Sequence, residues 1–263
     1  MLSITSAQLD ALLLAYVFPM VRVMSFLAAA PVFNNTALPR TVKLIIALAV
    51  GFAIATSLPP MQDAPEPGSY LGLAILAQQI LIGTGMGFCM RVIFSTLDVA
   101  GELIGLQMGL SFATFFDPQS AARSSVVAQI FGLIITLVFL ALNGHLMLIE
   151  VLVRSFEWLP MSITPLHAEG WLMLVRTGGA LFATGLLLAL PVVVALLITN
   201  IALAVLTRAA PQLNLFAVGF PITSTIGIAV IWLTLPALAN VLERIFDEGF
   251  ETTAMLVRTL AGH

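Results

Sequence analysis

The chain has 263 residues, 60% of them hydrophobic and only 9% charged, a balance that excludes an ordinary soluble globule and places the protein in or against lipid. Ten basic residues, among which Lys43 is the only lysine, and thirteen acidic ones give a net charge of −3, so there is no cationic surface for nucleic acid. Cys89 is the only cysteine and lies in an apolar run, which excludes an intramolecular disulfide and fits a packed thiol.

A membrane span needs about 20 mainly apolar residues. In chain order these occur at Ala11–Ala30, Val42–Leu58, Leu71 onward, Ser125–Val153 and Trp171–Leu206, with a sixth run at Ile222–Leu238. The pattern predicts an all-α, membrane-type protein of long kinked helices and helical hairpins in a single domain. Met1 to Asp10 carry no Lys or Arg and lead into a stretch as long as a span, so the first helix is expected to stay rather than be cleaved as a signal peptide. Arg22 interrupts that helix three residues after Pro19. The following connection holds Arg40 and Lys43 and no acid, which by the positive-inside rule puts it in the cytoplasm and Met1 outside. Pro59 to Tyr70, with Asp63 and Glu66 between prolines, reads as an acidic soluble loop. From Leu71 to Phe116 a continuous helix would extend roughly 70 Å, so the run must kink, protrude or count twice. Gly83, Gly85 and Gly87 are its expected weak points.

Catalytic and metal patterns are missing from the sequence. It contains no GxxxxGK[ST] loop, no GxSxG elbow and no HExxH, and His145, His167 and His263 have no metal-ligand spacing. A protein without enzymatic activity, cofactor or metal is the expectation. Charges inside apolar runs carry more information, since each costs about 3 kcal/mol at a bilayer centre. Arg91, Asp98 and Glu102 fall within about 40° of one helical face, and that face cannot meet lipid. It serves either a proton or ion path, as in a secondary transporter, or an interhelical or intersubunit pairing in which Arg22 is a candidate partner. Glu150 and Arg154, at i,i+4 with the acid first, can satisfy one another.

Pro191 removes a helical donor and should bend the Trp171–Leu206 run. Between Pro211 and Pro221 lie Gln212, Asn214 and Gly219, an apolar segment too short to span, whose irregular backbone must be covered by protein or line a cavity. From Ala237 the tail is amphipathic with a mainly acidic polar face, suited to a partner protein or to solvation.

The centre of the chain, GELIGLQMGLSFATFFDP, holds two ridges if read as helix. Gly101, Gly105, Gly109 and Ala113 form a small-residue ridge that admits another backbone. Ile104, Met108, Phe112 and Phe116 form a deformable apolar ridge beside it, with Phe115 adjacent and Asp117-Pro118 ending both. Ordinary packing and a gate-like plug both account for this arrangement.

That stretch, together with APQLNLFAVGFPI and the early APVFNNTALPRTVKLIIALAV in their order and spacing, resembles the FliR family of flagellar export-gate components, related to the T subunits of type III secretion. The resemblance runs over nearly the whole chain. It implies a non-enzymatic subunit of the flagellar protein-export channel in the bacterial inner membrane at the basal body, built helically with FliP and FliQ, contacted by FlhB and FlhA, and passing unfolded flagellar proteins. It further implies a FliP-like part over about 1–124 and a FliQ-like part over about 125–263. In such proteins the apolar helices face other subunits as well as membrane lipid, and the loop matching Leu106–Ala122 seals the pore, which makes Met108, Phe112, Phe115 and Phe116 the plug candidates here.

Overall fold

A computed structural model describes residues 6–33, 39–58, 68–110, 125–162, 164–211 and 215–262. Among them are seven helices and no strand: α1 (Ser6–Ala29), α2 (Arg40–Ser57), α3 (Tyr70–Gln107), α4 (Val126–Ala141), α5 (Gly144–Trp158), α6 (Ala168–Ala209) and α7 (Leu215–Ala261). The apolar runs become helices almost one for one. The long Ser125–Val153 run is divided, because Asn143 adopts φ 56, a left-handed conformation that Asn tolerates better than most residues. The sixth run and the amphipathic tail form one helix, α7, which carries Pro221 and Pro236 in its interior.

Among the described residues, four helices are long and apolar enough to cross a membrane: α2, α3, α6 and most of α7 (Val218–Ala261). At 38, 42 and 47 residues, α3, α6 and α7 measure about 57, 63 and 70 Å, twice the thickness of a hydrocarbon core. They differ in what covers them. In its most apolar window 67% of α3 is buried by its own chain, against 22% for α6 and 11% for α7. Leu187, Ile198, Val205, Trp232 and Leu233 therefore present apolar surface outward.

The contacts divide the chain into two interleaved units, residues 1–92, 143–178 and 247–263 in the first, 93–142 and 179–246 in the second. Each unit draws on sequence from both sides of residue 124, so the compact units and the two inferred sequence halves are different divisions.

In the first unit α1 lies on α3 at glycines. A Cβ on Gly83 would strike Ser25 Oγ and the Arg22 carbonyl, and one on Gly87 would come within 2.6 Å of Ala29 Cβ and 2.7 Å of the Phe26 carbonyl. Gly83 and Gly87 are thus places of close backbone approach, Gly85 faces the Trp171 side chain at 3.4 Å for a Cβ placed there, and α3 runs through all three unbroken. The α1–α2 hairpin is fastened by Tyr16 stacked on Phe52 at 5.4 Å. In the second unit Phe94, Phe139 and Phe246 form a ring cluster with centroids 5.1–5.5 Å apart. Gly185 fits under the Thr96 carbonyl and Val99.

Candidate functional site

The sequence points to the stretch after α3, and the described residues on either side of it show how it is held. The helix ends at Gln107, about ten residues before Asp117-Pro118. The cause is Gly109, whose φ of 81 is the left-handed turn that commonly stops a helix. The Met108 amide still donates to the Ile104 carbonyl at 2.9 Å, and the Gly109 amide folds back to Leu106 at 3.1 Å. Gly109 therefore stands past the end of α3, in the left-handed turn that stops it. Phe112, Phe115 and Phe116 lie outside the described residues.

Gly101 and Gly105 lie against the start of α4. A Cβ on Gly101 would collide with Ala128 Cα and come 2.8 Å from its amide nitrogen, and one on Gly105 would lie 2.7 Å from Ser125 Oγ. At this distance the polar groups of the two helices meet. Ser125 caps α4 by accepting from the Ala128 amide at 3.2 Å and donates the same hydroxyl to the Gly101 carbonyl at 3.2 Å. Its own backbone amide donates to Glu102 Oε1 at 2.6 Å. Ser125 is thereby fixed to α3 by a hydroxyl–carbonyl bond worth about 1 kcal/mol and a carboxyl–amide bond worth roughly 1.5–3 kcal/mol.

The opening end is held as well. Met108 is 2% exposed. A Cβ on Gly227 would lie 2.8 Å from its sulfur, so the thioether occupies the space that the α7 glycine leaves. Thr223 Oγ1 lies 3.1 Å from the Met108 carbonyl, which the helix end leaves open, and equally 3.1 Å from the Gly219 and Phe220 carbonyls of its own helix, so these three acceptors share its one proton. Met108 is thus packed within its own chain at the root of the loop.

The other charged candidates fall in different settings. Asp98 is exposed, with α4 passing at Gly132 3.7 Å from Asp98 Oδ1 for a Cβ placed there. Arg91 is exposed, and Glu102 is the half-buried member that grips Ser125. Glu150 and Arg154 form an exposed ion pair at 2.7 Å. Arg22 does not join the stripe. It is fully buried in the first unit, where Nε donates to Gln79 Oε1 at 2.6 Å, Nη1 to the Ser155 carbonyl at 3.0 Å and Nη2 to the Leu159 carbonyl at 3.0 Å. Phe156 lies 4.2 Å from the guanidinium carbon. These carbonyls close α5, so the cation is met by the negative end of a helix in place of a carboxylate. Gln212 and Asn214 lie outside the described residues; Pro211 marks a turn there, while Gly219 and Pro221 stand inside α7 and Pro191 inside α6. The irregular segment is therefore shorter than its two bounding prolines imply, since long apolar helices accommodate proline within them.

Residues 13–249 match the family model described as bacterial export proteins, family 1. The chain belongs to that family. The flagellar biosynthetic protein FliR of Escherichia coli (strain K12) is 43% identical to it over 260 residues, 99% of both chains. That of Pectobacterium carotovorum subsp. carotovorum is 42% identical over 246 residues, 94% of both, and that of Aquifex aeolicus (strain VF5) 31% over 244 residues, 90% of this chain and 92% of the other. As a FliR-family member the chain is a subunit of the flagellar protein-export apparatus, and its long apolar helices make it a membrane-embedded one. The loop base between Gln107 and Ser125 is accordingly a feature of an export subunit.

Proposed function

We propose that this chain forms part of the wall of a protein-conducting gate in the bacterial inner membrane at the flagellar basal body, surrounded by FliP and FliQ and contacted by FlhB and FlhA. Unfolded flagellar proteins pass along the channel, and the segment Leu106–Ala122 serves as an apolar plug that helps to seal it between passages. Phe112, Phe115 and Phe116 supply the seal, while Met108 roots it. The observation that carries this reading is the double fastening of the loop base, Glu102 and Gly101 to Ser125 on one side and Thr223 to Met108 on the other. The uncovered apolar faces of α6 and α7 support the presence of neighbouring subunits, because a surface of that size requires a partner or lipid.

The test is ion conductance of membranes carrying the assembled gate. Deleting residues 111–122 leaves Gly109 and Ser125 in place, so both helix ends keep their caps. The deletion is expected to make the membrane leaky to small ions while the subunits still co-purify. Unchanged conductance in a correctly assembled gate would remove the plug assignment.

A further inference from the structure

We infer that the groove between α1 and α2 binds an anionic phospholipid. This goes beyond the gating role and does not depend on it. The groove has a volume of about 310 Å³ and is walled by Met24, Leu27 and Ala28 from α1 and by Leu44 and Ala47 from α2, with Arg40 and Lys43 also lining it. None of its lining residues is acidic.

The order of these residues along the groove matches an amphiphile. Tyr16 stacks on Phe52, and a Cβ on Gly51 would lie 3.2 Å from Met20 Cγ. The hairpin is therefore antiparallel, and Arg40 and Lys43 stand at its turn end while the apolar floor runs away from them. The two cations, three residues apart, occupy the first turn of α2, where Pro39 provides no side-chain cap and the helix dipole adds to the attraction for a negative group. A guanidinium fork beside an ammonium suits a phosphate diester. Below it, Leu44 at 46% exposed, Ile45 at 60% and Phe52 at 54% continue along a helix long and apolar enough to cross a membrane. The groove consequently carries its cations at one end and apolar side chains along its length, the order of a headgroup followed by acyl chains. Charge and apolarity arranged in this order fit a lipid better than a soluble phosphate, which would leave the apolar floor bare.

The experiment uses the assembled gate reconstituted in phosphatidylcholine vesicles doped with photoactivatable phosphatidylglycerol, followed by mapping of the labelled peptides. Label is expected on residues 24–47. With about a fivefold contribution from each cation near a membrane surface, Arg40→Gln combined with Lys43→Gln should lower it ~25-fold, while Arg176→Gln, at an exposed arginine elsewhere, should not. Competition on the wild-type gate gives a reading that needs no variant: unlabelled phosphatidylglycerol should displace the probe, and phosphatidylcholine should not. Equal competition by the two lipids overturns the inference, as does labelling unchanged by the double substitution. Cross-links from this groove to an acidic peptide of a neighbouring subunit, with no lipid label, would overturn it in favour of a protein occupant.

Discussion

Replacing Gly101 by alanine adds one methyl group on the side of α3 that meets α4, where it would overlap Ala128 Cα and stand 2.8 Å from the Ala128 nitrogen. Restoring ordinary contact requires α4 to withdraw by roughly 1 Å. Both neighbours are backbone atoms, so no side-chain rotation relieves the overlap. The Ser125 hydroxyl, 3.2 Å from the Gly101 carbonyl, then leaves hydrogen-bonding range, and the 2.6 Å bond from the Ser125 amide to Glu102 is stretched. Losing the first costs about 1 kcal/mol and weakening the second costs 1–2 kcal/mol more, offset by ~1 kcal/mol because alanine is the better helix former. The net effect is a loss of about 1–2 kcal/mol. Gly179→Ala is the control: nothing lies within 4 Å of a Cβ there, so only the helix-propensity gain of ~1 kcal/mol remains. Unfolding in mixed micelles by increasing detergent denaturant, with hydrogen exchange followed over residues 125–130, measures both variants. The expected result is a gap of about 2–3 kcal/mol between them, with faster exchange at the α4 start in Gly101→Ala alone. Equal stability of the two variants would refute the close junction and with it the fastening of the loop base.

Two further outcomes follow from the same contacts. Arg22→Ala leaves the Gln79 oxygen and the Ser155 and Leu159 carbonyls buried without their donor and should destabilise by at least ~3 kcal/mol. Arg22→Lys should recover only part of that, because an ammonium cannot reach three separated acceptors, and the amount of intact chain extracted from membranes will rank the variants. Gly109→Ala places a Cβ at φ 81 and should cost about 1–2 kcal/mol, with Gly109→Asn milder because Asn tolerates that conformation; equal costs in the micelle titration would count against the left-handed turn.

The helices were legible because apolar runs of span length leave little choice in backbone structure when no water is present to satisfy peptide groups. The four-residue spacing of Gly101 and Gly105 was legible too, as a place where a second backbone could approach. Its partner was not, since nothing in the local sequence selects Ser125 and Ala128. Gly109 belonged to the same spacing, and its left-handed turn was not legible, because periodicity alone does not mark a glycine at which a helix stops. Arg22 shows the deeper limit. Its charge suggested a carboxylate partner, and its acceptors are a neutral amide 57 residues away and carbonyls 133 and 137 residues away. Backbone carbonyls belong to every residue, so sequence does not mark which of them will serve.

The interleaving of the two units bears on how the chain is made. The first unit requires residues 1–92 and 143–178, but also 247–263. The Leu260 carbonyl accepts from the His167 amide at 3.1 Å, Gly170 lies under Leu260, and the Arg258 guanidinium covers Trp158 at 4.6 Å. A ribosome that has produced the first 178 residues has supplied most of this unit without its closing layer, and more than sixty further residues must follow before that layer emerges. Until then Trp158, Gly170 and Trp171 have no cover from α7. A chain interrupted at that stage would lack the contacts that Arg258 and Leu260 make in the finished unit.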